Sequence, residues 1–562
     1  MGSPEVTDRP QKREAHRAAV RIATNYVRLG LNLALGLTFV PFMIHWVGAR
    51  ALGLIILLGA GVGIAAMFRE ITVRSVVREL SAAYHTNDDA HFRKVFNSSL
   101  VVSLAMACIA LVLFTVLYFC LPLLDIPTEF DGAARVMVAS QAVYIFITTT
   151  LSPIFNMLVV TERFVRYNLW ILAERSTMLL TAVALFYFLG PTQVLDPVTH
   201  ALDPVATAAR RGVAISDWSM VVATLQCLTF IAPVVLIMIS DPRLRPTPSL
   251  ASRDGVRVVS KTLGLYVLVE MASMLYEKVG QLIVNMFFGL LGNTIFGIAY
   301  QFVSYVRQAT VGVTFGLDAV SARLSTEGEK PLRALMHHST RLHGLVALPT
   351  GVAVFLLAEP LIRLWVGGRF LSPEEYVPGI VLTVKIMSIS MTARAIAEGW
   401  TTILYGAGFL RRYAPLVLVG GVIFPPLAIS LLKLYGAPAN PGFTLFLVPG
   451  LFCAMHFTIY CLMLPWIAAR CIGVSYVQMF LPLWRPVFIT TLSGAVLAFV
   501  LPAVARDPTR PGVLALAVAV AAFGAVYVLL AMVLVLNGAE RERFVWGPLR
   551  RLRKKGGSGG IA

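Results

Sequence analysis

The chain has few charged residues and few cysteines for its length. Asp, Glu, Lys and Arg make up 14% of its 562 residues, whereas soluble domains carry about 25%. Hydrophobic residues make up 57%, so lipid is the expected solvent for most of the chain. The six cysteines and nine histidines show no metal-ligand spacing, and the cysteines no disulfide pattern. We therefore expect no metal site and no cofactor.

The sequence also has no long polar segment. The longest stretch expected outside the membrane is near residues 191–215, and it contains no glycine-rich phosphate loop. A soluble catalytic domain has no room there, so we expect the functional groups to lie among the helices. No small-residue cleavage site follows a short apolar core near the N-terminus, which predicts a retained first helix.

Apolar stretches of 20 or more residues recur between residues 22 and 537, and each is long enough to cross a bilayer as a helix. They predict an all-α polytopic membrane protein of about fourteen transmembrane helices. The Lys and Arg residues fall mainly on one set of loops, which places both termini in the cytoplasm of an inner-membrane protein. Much of the net charge of +18 then faces anionic phospholipids, above all in the basic tail, and nucleic acid is not an expected partner.

Short motifs recur in the two halves of the sequence and indicate an internal repeat. The junction at residues 48–54 resembles residues 292–298, and the end of the fourth helix at 157–167 resembles residues 403–413. We predict two pseudo-symmetric six-helix lobes, an arrangement that supports rocking of one lobe against the other. The predicted organisation is a cytoplasmic segment at 1–21, an N-lobe at 22–240, a linker at 241–261, a C-lobe at 262–469, two further helices at 470–536 and a basic tail at 537–562.

The first helix carries a polar face. Arg21, Asn25, Arg28 and Asn32 follow the i, i+4, i+7, i+11 spacing that places side chains on one side of a helix. A charge at the bilayer centre costs at least about 2.5–3.5 kcal/mol, so this face is predicted to line a water-accessible cavity. A buried polar seam between helices is the alternative.

Further charged residues lie in the seventh, eighth and tenth predicted helices. Arginine binds phosphate oxygens bidentately and stays charged when partly desolvated. We therefore predict that Arg28, Arg307 and Lys385, with Asn25 and Asn32 nearby, form a cradle for a diphosphate. Glu270 and Glu277 are candidates for coupling to H+ or Na+, because burial raises the pKa of a carboxyl group. Pairing of Glu277 with a nearby cation is the structural alternative.

Three other groups have less specific patterns. Glu174 and Arg175 are adjacent in the fifth helix and point about 100° apart, so the pattern assigns neither a role. Arg394 and Glu398 have the spacing of an ion pair along one helix. The histidines of segment 337–343 are predicted to lie on a solvated interfacial helix at the cytoplasmic side.

Several short motifs together resemble a known superfamily. They are Asn25-Tyr26 in helix 1, the junction from Trp46-Val47-Gly48 to Leu52-Gly53-Leu54, the basic stretch 74–94, the segment 359–367, the segment 404–408 and Glu540-Arg541. The chain resembles the polysaccharide flippases of the multidrug/oligosaccharidyl-lipid/polysaccharide exporter (MOP) superfamily over nearly its whole length. In such relatives arginines of helices 1 and 8 line the cavity, and Arg28 and Arg307 occupy similar helices.

The resemblance implies a transporter and not an enzyme. Its expected substrate is an oligosaccharide on a polyprenyl diphosphate, moved from the cytoplasmic to the outer leaflet by alternating access for cell-surface polysaccharide or lipopolysaccharide biosynthesis. One alternative is a cation-coupled exporter of small molecules or drugs with the same fold. A membrane glycan polymerase or ligase, with its catalytic residues in segment 191–215, is another. The glycine-rich segment 556–560 is taken as a flexible tail without a role.

Overall fold

The computed structural model describes residues 8–84, 88–194, 203–260, 278–314, 317–366, 373–435, 446–504, 513–536 and 538–541. Every regular element within these ranges is a helix, which confirms the all-α polytopic fold class. The principal helices are α1 (Asp8–Val47), α2 (Ala49–Tyr84), α3 (Asp89–Cys120), α4 (Thr128–Thr150), α5 (Phe164–Leu189), α6 (Pro204–Ser240), α7 (Gly280–Thr314), α8 (Leu317–Glu327), α9 (Glu329–Trp365), α10 (Pro373–Gly406), α11 (Leu410–Tyr435), α12 (Leu447–Phe457), α13 (Trp484–Val504) and α14 (Val513–Leu530).

Twelve helices within the described ranges are long and apolar enough to cross a membrane. A shorter apolar helix, Ala49–Gly59, coincides with the start of the second predicted span. Helix α7 contains the end of the seventh span predicted from hydropathy, 262–290, and most of the eighth, 294–322. Gly289 interrupts this helix with φ 63° and ψ −169°. This positive φ is accessible to glycine without steric cost, and Gly289 marks a kink between two helical segments of α7.

Side-chain caps fix the starts of two long helices. The Asp88 carboxylate accepts hydrogen bonds from the backbone N–H groups of Ala90 and His91, each at 3.0 Å. Asp203 caps α6 in the same way, and Pro204 occupies the first turn, where a missing N–H costs nothing. The backbone hydrogen bond from His91 lowers the pKa of the Asp88 carboxyl. Because Asp203 and Pro204 form its first turn, α6 begins before the span that hydropathy predicts for this part of the chain.

The repeated glycine junctions contact each other. The Asn293 amide donates to the Gly53 carbonyl at 3.1 Å, and the Thr294 hydroxyl donates to the Ala49 carbonyl at 2.7 Å. A Cβ on Gly53 would lie 2.6 Å from Thr294 Oγ1. The sequence motif shared by the two junctions thus marks a place where α2 and α7 approach with almost no space between their backbones.

A polar clasp holds the segment after α6 against the start of α3. The Arg243 guanidinium donates to Asp241 at 3.0 and 2.9 Å and to Asp89 at 2.9 Å. Farther along, the Asn97 side chain accepts the Thr247 N–H at 2.7 Å. The side-chain bond from Arg243 holds the pKa of the Asp241 carboxyl below its ordinary value, and that of Arg243 rises correspondingly. The start of the predicted 241–261 linker is therefore fixed to the first compact unit.

The chain divides into two compact units. The first contains residues 1–301, 365–383 and 410–455, and the second contains residues 302–364, 384–409 and 456–562. Aromatic rings such as Trp46 and Phe96 are fully buried in the first unit, and Trp400 in the second. In the second unit Phe523 packs with Leu357 and Leu497, so α14 contacts α9 and α13.

Candidate functional site

Arg28 lies near the beginning of the apolar part of α1. Its side chain is half-buried in the first unit, where α1 packs along α5. It interacts electrostatically with Tyr167 and Arg175 of α5. The guanidinium predicted to bind an anion is therefore positioned by the contact between these two helices.

Arg175 lies near the middle of α5 and is exposed. Charged side chains within membrane spans face water-filled cavities or the interior of the bundle, because contact with lipid at that depth is costly. It interacts electrostatically with Arg28, so two positive charges lie near each other where α1 packs along α5. We call these residues the arginine pair. Two like charges repel, so an anion bound between them lowers their energy.

Other polar groups of α1 and α5 lie close to the arginine pair in sequence. The Asn168 amide donates to the Thr24 hydroxyl at 3.3 Å and joins the two helices. Asn32 lies one turn beyond Arg28, and its Oδ1 is buried without a hydrogen-bond partner among the described residues. An unsatisfied amide oxygen is costly in a dry interior, which is consistent with a polar ligand or water at this face.

Glu174 is buried on the other side of α5, with 8% of its surface exposed. It accepts a hydrogen bond from the Tyr144 hydroxyl of α4 and interacts electrostatically with Cys227 of α6. Glu174 and Arg175 therefore face different surroundings, as their angular separation on the helix predicts. Glu174 is buried where α4, α5 and α6 meet, whereas Arg175 points elsewhere and is exposed.

The second unit contains the other predicted cations. Arg307 is half-buried on α7, and Lys385 is half-buried on α10 with its Nζ 5.9 Å from the centre of the Phe355 ring. Arg394 donates to the Tyr460 hydroxyl at 3.1 Å and lies over the same ring. An aromatic face stabilises a partly desolvated cation, so Lys385 and Arg394 are each held beside a ring.

The sequence interpretation of His343 was wrong. Its side chain is fully buried on α9 and contacts Thr314 of α7 and Ser339 of its own helix. The neighbouring histidines His337 and His338 are exposed. All three histidines lie in a polar stretch of the sequence, but the helical spacing puts His343 on another face of α9.

Some predicted residues cannot be placed. Glu270, Glu277 and the side chain of Asn25 lie outside the described residues. Gln281 and Asn285, farther along the same predicted span as the glutamates, are buried at 4% and 0% exposure. Asn285 donates to the Leu124 carbonyl. The polar positions of this predicted span therefore continue along α7 in the first unit. One of them, Asn285, is hydrogen-bonded to the segment that precedes α4.

The fold is similar to that of solved transporters. An inward-facing multidrug resistance MATE family transporter of the MOP superfamily matches with a TM-score of 0.61 and 12% identity, over 80% of this chain and 98% of that one. The lipid II flippase MurJ in an inward closed conformation matches with a TM-score of 0.61 and 11% identity, over 91% and 98%. A MOP superfamily transporter from Pyrococcus furiosus Vc1 matches with a TM-score of 0.55 and 11% identity, over 84% and 95%. At these identities the similarity shows the fold alone.

The sequence itself matches a family over part of its length. Residues 206–375 match the family described as "Polysaccharide biosynthesis protein". No curated protein matches the chain. The matched segment runs from α6 into α10 and includes Arg307 and His343. The resemblance predicted from short motifs is therefore confirmed: the chain has the fold of the MOP superfamily, and its central part matches a polysaccharide biosynthesis family.

Proposed function

We propose that the protein moves a polyprenyl-diphosphate-linked oligosaccharide from the cytoplasmic to the outer leaflet of the inner membrane. The observation that carries this proposal is the arginine pair. Two guanidinium groups lie where two membrane helices pack together, and guanidinium groups bind the phosphate oxygens of a diphosphate bidentately. The family match of residues 206–375 supports a role in polysaccharide biosynthesis. One neighbour in fold is a lipid II flippase, and the neighbours described above are transporters, which supports transport over glycan polymerisation or ligation.

The direction of transport is energetically favourable for an anion. An outward movement across an inside-negative membrane gains about 2.3 kcal/mol per charge for each 100 mV. Arg307 and Lys385 are proposed to bind the same diphosphate during the cycle. Glu270 and Glu277 remain proposed sites for coupling to H+ or Na+. Both termini are proposed to be cytoplasmic, with the basic tail on anionic phospholipids.

A flipping assay tests the proposal. The purified protein is reconstituted into liposomes with a fluorescent polyprenyl-diphosphate-linked oligosaccharide, and a membrane-impermeant quencher reports the leaflet of the label. We expect Arg28→Ala and Arg175→Ala each to slow flipping about tenfold to a hundredfold, because a hydrogen bond to a charged group contributes about 1.5–3 kcal/mol.

The matched control is Arg135→Ala on α4. Arg135 is an exposed arginine paired with Asp131 at 3.0 Å, and exposed pairs contribute little, so this variant should flip substrate at the wild-type rate. Equal rates for wild type, both single variants and Arg28→Ala/Arg175→Ala would overturn the proposal.

Cation-coupled export of small molecules or drugs is the second candidate. The buried Glu174 with its Tyr144 donor is an acidic group of the kind that cation exchange uses, and one neighbour in fold is a multidrug transporter. The same liposomes loaded with a fluorescent organic cation distinguish the two. Cation efflux that depends on Glu174 but not on Arg28 would favour this candidate over lipid flipping.

A further inference from the structure

A tight turn in the second unit presents arginine and tryptophan side chains at its surface. The helical segments Leu447–Ile472 and Tyr476–Pro502 are both long and apolar enough to cross a membrane, and only three residues join them. The turn therefore lies where two spans leave the bilayer. Arg470 and Arg485 are the only charged residues between positions 464 and 488, and both are exposed.

Contacts on the inner side of the turn fix its position. A capping box begins the short helix Tyr476–Phe480. The Tyr476 hydroxyl donates to the Cys461 carbonyl at 2.7 Å. The Phe480 ring lies edge-on to Trp400 of α10, with the ring centres 5.7 Å apart. The outward side chains are therefore carried by a backbone that the second unit holds in place.

Each arginine at the turn lies over a tryptophan ring. The Arg470 guanidinium carbon is 3.7 Å from the centre of the Trp466 ring, and that of Arg485 is 5.1 Å from the centre of the Trp484 ring. Within the described part of the chain neither guanidinium donates a hydrogen bond or pairs with an acid. The rings hold the two cations in place, and their N–H donors have no oxygen acceptor there. We call these four residues the arginine–tryptophan surface.

The acid beside the turn is already neutralised. A Cβ on Gly473 would lie 3.2 Å from Glu329 Oε2, so this carboxylate lies against the turn. It pairs with Arg333 at 2.6 Å, and Arg333 also donates to the Ile472 carbonyl at 2.6 Å. The positive charge of the arginine–tryptophan surface therefore remains available to an external anion.

An apolar row adjoins these charges. Val477, Leu481, Trp484 and Phe488 are all exposed, whereas Met479 between the first two is buried. A small soluble anion would contact the arginines and leave this row in water. A phospholipid matches both parts, because its phosphate suits guanidinium groups and its acyl chains suit the row. Tryptophan is also enriched where a membrane meets water.

We propose that the arginine–tryptophan surface binds an anionic phospholipid, with the two guanidinium groups on headgroup phosphate and the apolar row against the acyl chains. The distribution of Lys and Arg along the chain predicts that this turn faces the cytoplasm, where anionic lipids attract basic residues. The site lies apart from both the arginine pair and the basic tail. It does not depend on the proposed transport function.

Fluorescence of a label on the turn measures this binding. In a background with the six native cysteines replaced, Val477→Cys carries an environment-sensitive fluorophore at a position that is 71% exposed. The purified protein in a neutral detergent is titrated with dioctanoylphosphatidylglycerol and with dioctanoylphosphatidylcholine. We expect phosphatidylglycerol to bind at least about tenfold more tightly, because two arginines attract its net negative charge.

Arginine variants test which residues bind the headgroup. Arg470→Gln and Arg485→Gln should each weaken binding of phosphatidylglycerol about fivefold and leave that of phosphatidylcholine unchanged. Both variants should unfold at the wild-type temperature, because the described residues give neither arginine a hydrogen bond to lose. The control is Arg135→Gln, an arginine that also lies over a ring, that of Tyr118, but pairs with Asp131. It should bind phosphatidylglycerol as the wild type does.

Three results would overturn the proposal. The first is equal affinity of the wild type for the two lipids. The second is unchanged binding of phosphatidylglycerol by Arg470→Gln/Arg485→Gln. The third concerns glycerol 3-phosphate, which carries the phosphate without acyl chains and should not compete at the lipid's concentration. Competition as strong as that of the lipid would show a site for small phosphates and not for a phospholipid.

Discussion

Gly53 on α2 packs against the backbone that follows Gly289, and replacing it tests the contact between the repeated junctions. A Cβ at this position would lie 2.6 Å from Thr294 Oγ1 and 2.8 Å from the Leu290 carbonyl carbon, and closer still to the carbonyl oxygen. Carbon atoms in normal contact are about 3.5–4.0 Å apart. Gly53→Ala therefore requires one of the two backbones to move by about 1 Å.

The expected cost follows from what must move. Overpacking by a methyl group costs about 1–3 kcal/mol when the neighbours cannot yield, and here the obstacle is a backbone carbonyl. At Gly297 the obstacle is the Ile56 side chain, whose Cγ2 is the atom nearest to an added Cβ and whose Cδ1 lies 2.9 Å from it. A side chain can change its rotamer, whereas a backbone carbonyl cannot. We expect Gly53→Ala to be more destabilising than Gly297→Ala.

Thermal unfolding of the detergent-solubilised protein measures this effect. Gly59→Ala on the same helix is the matched control, because no atom of the described residues lies within 4 Å of an added Cβ there. Alanine favours a helix over glycine by about 1 kcal/mol, so Gly59→Ala should raise the unfolding midpoint while Gly53→Ala lowers it. An equal rise in both variants would refute the close approach of α2 and α7.

Two further predictions concern the first unit. Arg243→Gln should lower the unfolding free energy by about 1 kcal/mol and speed hydrogen exchange in residues 241–251, whereas Arg245→Gln, at an exposed neighbour, should change neither. Because Arg243 lowers the pKa of Asp241, this contribution is complete at neutral pH and is lost as the pH falls below about 4 through the lowered pKa; persistence of the protection at lower pH would contradict the assignment. Tyr144→Phe should lower the unfolding midpoint, because it removes a donor from a buried carboxylate at a cost of about 1–3 kcal/mol. Glu174→Gln should be tolerated better because the amide oxygen can still accept the hydrogen bond from Tyr144; the reverse order would contradict this contact.

The fold was predictable because the signals are long and periodic. Apolar stretches of bilayer length leave helices as the available solution. The junction motif at residues 48–54 recurs at residues 292–298, and the internal repeat that it indicates stays a prediction. The sequence could not show that the two junctions contact each other, since that contact joins residues far apart in the chain. Gly289 also escaped prediction, because its conformation depends on the path of the backbone and not on hydropathy.

The candidate site was predictable only in part. Arg28 stood out because four polar residues share its helix face. Arg175 did not, because an adjacent acid made its role ambiguous until the structure buried Glu174 against Tyr144. His343 was misjudged because its neighbours in sequence are exposed. In each case the deciding information is which neighbouring helix covers the residue, and helix packing is set by contacts across the chain.

The central claim is that the arginine pair borders water and binds a diphosphate. In a background with the six native cysteines replaced, Arg175→Cys is compared with Leu180→Cys, at an apolar residue of α5 that is 63% exposed. We expect a negatively charged, membrane-impermeant thiol reagent to modify the cysteine at position 175 at least about tenfold faster, because only a hydrated site lets the reagent and a thiolate meet. Polyprenyl diphosphate at a saturating concentration should slow that reaction, because Arg28 still binds it. Equal, slow modification at both positions would contradict the account.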